Sequence, residues 1–260
     1  MKKQPRQDGF SLLETLLAVS TLAVGMVFVA GTFMAGIYFT SLSTERTIAA
    51  VASDEALVKI RLYGLDPSDP NLETDEFVSY EKLTTIPTDE FLYPSLAGDT
   101  ARQYSWRALC KRLGADSHLV QVTVFVCRHA GADARYWVRA SGDGFPNLEQ
   151  GDLPRPLRIR VTQEAGLAED EVSIIDSVTS DQIDENTFAN DGATLLDDQT
   201  GQIYRVLQRY REPPERIKLD RPWTGGDIAA SAGGWVWVVP PPVAGGRSPL
   251  VAVYQKVLRF

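Results

Sequence analysis

The sequence predicts an α+β protein, in which a long N-terminal membrane-spanning helix precedes an antiparallel β-rich head. Three observations predict this class. Residues 15–44 form a run of thirty residues without a charge, most of them apolar. The segment 119–128 alternates, with valine at positions 120, 122, 124 and 126, as in a strand that buries one face. Short β-rich runs between Gly-, Pro- and Asp-containing turns fill the second half of the chain.

The uncharged segment is long enough to cross a bilayer. A helix of thirty residues is about 45 Å long, and about twenty residues suffice to span the hydrocarbon core. Lys2, Lys3 and Arg6 precede the segment and favour a cytoplasmic N-terminus with an exported head. A cleavable secretory signal would have a shorter apolar run followed by a polar exit region, which this segment lacks.

Glu14 lies inside an otherwise apolar stretch. A carboxylate costs about 2.5–3.5 kcal/mol at the bilayer centre and less near the interface, so we expect it to have a partner. Residues 9–14, Gly-Phe-Ser-Leu-Leu-Glu, follow a short basic leader and precede the apolar helix. This arrangement resembles the cleavage and methylation motif of prepilins, which type IV pilins share with the pseudopilins of type II secretion. The resemblance covers about residues 1–45.

The resemblance implies that residues 1–9 are a leader, which a membrane-bound prepilin peptidase removes between Gly9 and Phe10. It also implies that the new amine of Phe10 is methylated and that the helix assembles with other pilin-like subunits. In such an assembly Glu14 would meet the Phe10 amine of a neighbour, which offsets two buried charges and sets the axial register. Many pilins have a proline midway along this helix, and residues 10–66 contain none.

The expected role is therefore structural, as a minor subunit of a type IV pilus or a type II secretion pseudopilus. The resemblance places it in the inner membrane, with its head in the periplasm or on an extracellular filament. The sequence contains no Walker loop, Gly-x-Ser-x-Gly, His-Glu-x-x-His or Cys-x-x-Cys motif, so we do not expect an enzyme. The alternative is a membrane-anchored enzyme or ligand-binding domain that uses the prepilin export route. The net charge of −8 argues against a nucleic-acid partner.

After the membrane segment, the helix is predicted to continue to Tyr63, where Gly64 and Pro67 stop it. Glu55 and Lys59 are spaced to form an i,i+4 ion pair. The face predicted to pack on the head lies within an arc of about 120°, and its members are Ile48, Val51, Ala52, Val58 and Leu62.

The helix is thus expected over 10–63, with 10–44 as its transmembrane and assembly part, and a loop-rich connection over 64–100. The head, 101–260, forms either one sheet system or two lobes, 101–161 and 172–260, and the periodicity leaves both open. Its strands are expected near 103–110, 119–128, 157–161, 172–175, 202–208, 217–219, 235–239 and 250–254.

The first two strands of the head are predicted to form a hairpin. A tight turn over 113–118 would place Cys110 opposite Gln121 and Cys127 opposite Tyr104. The two sulfurs would then lie roughly 20 Å apart, which is too far for a disulfide, although export favours oxidation. A longer loop or a strand crossing would alter this geometry.

The segment 164–198 is rich in acidic residues. Asp191, Asp197 and Asp198 are weak calcium candidates, because calcium requires clustered oxygen ligands and the EF-hand spacing is absent. The alternative is a solvated acidic loop, and no other cofactor is expected. His118 and His129 are expected to be solvated turn residues. Trp235 and Trp237 share one face of a strand, and they are expected either in the core or as an exposed aromatic strip.

Overall fold

The structure is a computed structural model, and it confirms the α+β class: one long apolar helix is followed by an antiparallel β-rich region that includes a closed barrel. It divides into two compact units, 1–47 and 48–260. The described residues are 11–72, 74–95, 102–114, 118–129, 131, 133–139, 148–176, 183–228 and 233–260.

The helices and strands in chain order are α1 (Leu12–Tyr63), β1 (Val78–Ser79), α2 (Tyr80–Leu83), β2 (Leu92–Tyr93), β3 (Tyr104–Arg112), β4 (Leu119–Arg128), β5 (Tyr136–Arg139), β6 (Leu148–Gly151), β7 (Leu157–Thr162), β8 (Glu171–Ile175), β9 (Thr194–Asp197), β10 (Ile203–Arg209), β11 (Arg216–Leu219), β12 (Gly234–Val238) and β13 (Leu250–Arg259), with 3₁₀ turns at Thr88–Phe91 and Glu185–Phe188.

α1 is a single helix of 52 residues, and it ends where the sequence predicts. Gly64 follows it with a φ of 77°, in the left-handed region that side-chain-bearing residues rarely adopt. The Gly64 N–H donates to the Ile60 carbonyl at 3.0 Å, and the Tyr80 hydroxyl donates to the Gly64 carbonyl at 3.0 Å. The end of the helix is therefore held by both a backbone cap and a buried tyrosine.

Residues 48–63 of α1 pack on the first sheet through a face of small side chains. Its fully buried apolar members are Ala49, Ala52, Ala56 and Ile60. The predicted face was wrong for Val51, Val58 and Leu62, whose side chains are 51%, 63% and 78% exposed. The reason is complementary packing: the opposing surface supplies large side chains such as the fully buried Trp106, so the helix contributes small ones.

The first sheet has the order β1-β3-β4-β13, with β2 also paired to β3. The β3–β4 hairpin forms as predicted, but its register is shifted by one residue. Arg112 lies opposite Val120, because the Leu113 N–H still donates to the Leu119 carbonyl at 2.9 Å and the loop begins only after it. Even-numbered residues of β3 and β4 face α1, and odd-numbered residues face the barrel.

Cys110 and Cys127 are buried free thiols. Cys110 lies opposite Val122 and Cys127 opposite Ser105, one residue from the predicted partners. Cys110 belongs to the core beside α1, whereas Cys127 belongs to the core beside the barrel. The two sulfurs are therefore separated both by the distance along the strands and by their positions on opposite faces of the sheet.

The second structure of the head is a closed barrel of strands in the order β10-β11-β8-β7-β12-β9. Val236 and Val238 of β12 point into the barrel core, while Trp235 and Trp237 lie on its outer face and are half-buried. The valines fill the barrel interior, and Trp237 packs against the buried cluster between the barrel and the first sheet, so the expected core packing is confirmed for Trp237 in part. β7 lies in the barrel and β13 in the first sheet, so the strands do not follow the lobes 101–161 and 172–260.

Candidate functional site

The predicted cleavage residues Gly9 and Phe10, of which Phe10 is also the predicted methylation site, lie outside the described residues, and the predicted assembly residue Glu14 lies within them. Glu14 is the third residue of α1 and is exposed. Its backbone N–H donates to the Ser11 hydroxyl at 3.2 Å and to the Ser11 carbonyl at 3.0 Å. In the described part of the chain, no hydrogen bond or ion pair engages the Glu14 carboxylate. Its charge is thus placed at the start of the helix and is open to an external partner.

Ser11 has a role that the sequence analysis missed, because it is the N-cap of α1. The spacing Ser11-x-x-Glu14 is the sequence signature of a capping box, and this signal could have identified it. A carboxylate in the first turn also interacts favourably with the helix dipole. Glu14 therefore has a local reason to occupy this position, in addition to the assembly role that the prepilin resemblance implies.

Seven of the nine serine and threonine side chains from Thr15 to Thr47 donate to carbonyls of the same helix, three or four residues earlier. The distances are 2.8–3.0 Å, and the donors are Thr15, Ser20, Thr21, Thr32, Thr40, Thr44 and Thr47. An unsatisfied polar group in hydrocarbon costs several kcal/mol. The segment consequently requires no water for these hydroxyls.

The large apolar side chains from Leu12 to Phe39 are 55–79% exposed. By length and composition alone, α1 is able to cross a membrane. Monomeric soluble proteins rarely expose contiguous apolar patches larger than a few hundred Å². This surface is therefore suited to lipid or to apolar protein partners.

The three acidic candidates are hydrogen-bond acceptors within the fold. Asp191 Oδ1 accepts from the Arg209 N–H at 2.6 Å. Asp197 Oδ2 accepts from the N–H groups of Thr200 and Gly226 at 2.8 and 3.0 Å. Asp197 thereby closes the turn that precedes β10, as the sequence predicts. These N–H donors occupy oxygen positions that a cation would otherwise approach.

Asp198 is 1% exposed, and so is Asp197, so the expectation of a solvated acidic loop was wrong for this pair. Asp198 Oδ1 accepts from the Phe77 N–H at 3.0 Å and from Trp237 Nε1 at 2.6 Å. Arg158 Nη2 lies 2.6 Å from Asp198 Oδ2. Burial raises the pKa of the Asp198 carboxyl above its usual range, and Arg158 opposes the rise. The pair connects the barrel to the segment before β1.

Trp235 and His129 also differ from expectation. The Arg158 guanidinium lies 4.9 Å from the centre of the Trp235 ring, so this half-buried ring is not a free aromatic strip. His129 is half-buried and packs edge-on against Tyr136, with ring centres 6.4 Å apart. Burial lowers the pKa of His129. Within the ranges that the structure describes, no group of three or more His, Cys, Asp or Glu is placed to hold a metal ion.

Comparison with known proteins identifies no relative. No protein-family model matches the chain, and neither a curated protein nor a solved structure is similar to it. The N-terminal motif and the physical properties of α1 are therefore the features that point to a function.

Proposed function

We propose that this chain is a pilin-like structural protein, a minor subunit of a type IV pilus or of a type II secretion pseudopilus. Prepilin peptidase removes residues 1–9 and methylates Phe10. Residues 10–44 anchor the chain in the inner membrane and assemble with other pilin-like subunits. The head is exported, and it takes part in the filament rather than in catalysis.

One observation carries this proposal: the motif Gly9-Phe10-x-x-x-Glu14 stands directly before a continuous apolar helix. Leader charge, Gly-Phe junction, glutamate spacing and uncharged run occur together at the expected distances. The internally satisfied hydroxyls and the exposed apolar side chains of α1 support residence in lipid or in a helix bundle.

The proposal is tested by removal of the leader. Gly9 has no side chain, so a peptidase can approach the bond that follows it. We expect Gly9→Val to retain Met1 when the protein is produced with an active prepilin peptidase, whereas the wild type begins at methylated Phe10. Gly25→Val is the matched control, because a Cβ at Gly25 meets nothing within 4 Å. Intact-mass spectrometry measures all three proteins.

Two outcomes would contradict the proposal. Trimming of Gly9→Val to Phe10 would remove the requirement for glycine at the junction. A wild-type chain that keeps Met1 beside an active peptidase would contradict the proposal, and it would also contradict the alternative of an enzyme or binding domain that uses the prepilin export route.

A further inference from the structure

β13 is the edge strand of the first sheet. It pairs with β4 over nine residue pairs, from Leu250–Cys127 to Arg259–Leu119. Within the described residues, no strand pairs with its other edge. An edge strand offers unpaired N–H and C=O groups to any further strand.

The hydrogen bonds identify which residues of β13 face outward. The Phe260 N–H donates to the carbonyl of His118, the residue directly opposite in this register, at 3.0 Å. Opposed residues of an antiparallel pair alternate between bonded and non-bonded positions. The even-numbered residues of β13 after its bulge therefore bond to β4, and the backbone groups of Gln255, Val257 and Arg259 point away from the sheet.

The side chains of these three residues are also exposed, and Val257 is 51% exposed. The Gln255 amide nitrogen donates to the Gly201 carbonyl at 2.7 Å and to Thr123 Oγ1 at 3.2 Å, which leaves its oxygen as an acceptor. Natural edges are commonly protected by a bulge or a lysine. The bulge of β13 lies between Leu250 and Ala252, outside this stretch, whereas Lys256 lies within the stretch on the opposite face of the strand from Val257.

We propose that the outer edge of β13 pairs antiparallel with β13 of a second copy of this chain, over residues 255–259 and with Val257 at the centre. In this register Val257 lies opposite Val257 of the second copy, and Gln255 lies opposite Arg259. The Gln255 oxygen can then accept from the guanidinium. Lys256 lies opposite Leu258, so no like charges are directly opposed. The contact is self-complementary, as a two-fold interface requires.

Five paired residues on each strand bury much less surface than a stable interface, which buries at least about 1,200 Å². The pairing is therefore weak between free molecules, and its occupancy rests on the proposed membrane anchoring, which raises the local concentration. The full-length chain in its membrane is consequently the material in which the contact is measured.

Val257→Cys in the full-length chain tests the pairing. Opposed residues at a bonded position have Cα atoms about 5.5 Å apart, within the range that a disulfide bridges. We expect copper–phenanthroline oxidation of membranes to give a reducible band at twice the monomer mass. Leu207→Cys is the matched control, because Leu207 is 55% exposed but lies on β10, which is paired on both sides in the barrel. The wild type controls for the buried native thiols.

Three further substitutions test the register. Gln255→Cys alone should give no dimer, because the two copies of residue 255 are four residues apart along the strands, or about 14 Å at 3.4 Å per residue. Co-production of Gln255→Cys with Arg259→Cys should give the crosslink, because residues 255 and 259 lie opposite each other. Adding Val257→Pro to that pair should abolish it. Because the Val257 N–H points outward, proline at this position leaves the β4 ladder intact.

Absence of the Val257→Cys dimer, or equal dimer from Leu207→Cys, would overturn the edge pairing. A crosslink to a different protein would overturn the second copy as the occupant. Leader trimming and membrane fractionation are measured in the same samples. A crosslinked dimer of chains that keep the leader, or that fractionate as soluble protein, would support the edge pairing but contradict the proposed function. Failure of the pairing is therefore distinguishable from failure of the proposed function.

Discussion

Ser11 and Glu14 share the first turn of α1 but are expected to contribute different things. Ser11 satisfies a backbone N–H of the helix, which is a local and structural task. Glu14 supplies a charge that has no partner among the described residues. The two residues lie close together, so comparing a substitution of Ser11 with a substitution of Glu14 distinguishes the effect of helix capping from that of assembly.

We predict that Glu14→Leu leaves production, membrane insertion and leader removal intact but abolishes incorporation into filaments. Loss of one partner of a buried ion pair costs about 3–5 kcal/mol, which corresponds to a factor of a hundred or more in association. Insertion should not suffer, because leucine enters the bilayer more easily than a carboxylate. Crosslinking to other pilin-like subunits, with wild type and variant side by side, measures the effect.

Ser11→Ala is the control for this prediction. It should weaken the helix start by about 1 kcal/mol and leave the crosslinks in place. If Glu14→Leu crosslinks as the wild type does, the glutamate acts only locally, through its interaction with the helix dipole. If both variants lose the crosslinks, the capped turn rather than the charge is the requirement.

The acidic pair Asp197 and Asp198 shows where residue-level prediction from the sequence ends. The turn was predictable, because Asp197 and Gly201 are typical turn residues at the right spacing. The burial was not, because the donors that stabilise Asp198 come from Phe77, Arg158 and Trp237, which are remote in the sequence. A carboxylate is solvated by default, and only tertiary structure brings such donors to it.

At the scale of elements, α1 illustrates both the strength and the failure of periodicity. Its length and end were predicted correctly from the apolar run and from Gly64. The predicted buried face included Val51, Val58 and Leu62, whereas the fully buried apolar side chains on the face that packs on the sheet are alanines together with Ile60. Periodicity reports that a face is apolar, but it does not report the volume that the opposing surface leaves.

We predict that Ala52→Leu lowers the free energy of unfolding by about 1–3 kcal/mol, because Ala52 is fully buried against the sheet and the added atoms overpack it. Val58→Leu also enlarges a side chain of the same helix, but the Val58 side chain is 63% exposed. This substitution should therefore change the free energy of unfolding by no more than about 0.5 kcal/mol. Urea unfolding of the chain in detergent compares them. Equal effects would contradict the small-residue packing.

The strands of the head were predictable as strands, and their partners were not. The β3–β4 hairpin is local, and even there the register differed by one residue, because the extra pair Leu113–Leu119 was not visible in the pattern. The barrel depends on remote pairs, such as β9 with β12 and β8 with β11. Alternation with period two identifies a strand and its buried face, but it does not identify the neighbour.

At the scale of the whole molecule, residues 48–260 form a compact unit with its own cores. We predict that a protein lacking residues 1–45 is soluble and unfolds in one cooperative thermal transition, since it loses the exposed apolar segment and keeps the buried face of α1. A protein lacking residues 1–63 is the control. It also loses Ala52 and Ile60 from the sheet core, and it should unfold at a lower temperature or aggregate. A gradual transition in the longer protein would contradict this prediction.

The placement of β13 has a consequence for the order of folding. Residues 129–249 separate β4 from β13, and they contain the whole barrel. The β3–β4 hairpin can form early, but its sheet is completed only when a strand from far along the chain returns, and such long-range contacts form slowly. During synthesis from the N-terminus, β4 therefore keeps an open edge until β13 has been made. The barrel strands precede β13 in the chain and can pair among themselves in that interval, so β13 closes the sheet last and a complete first sheet requires the whole head.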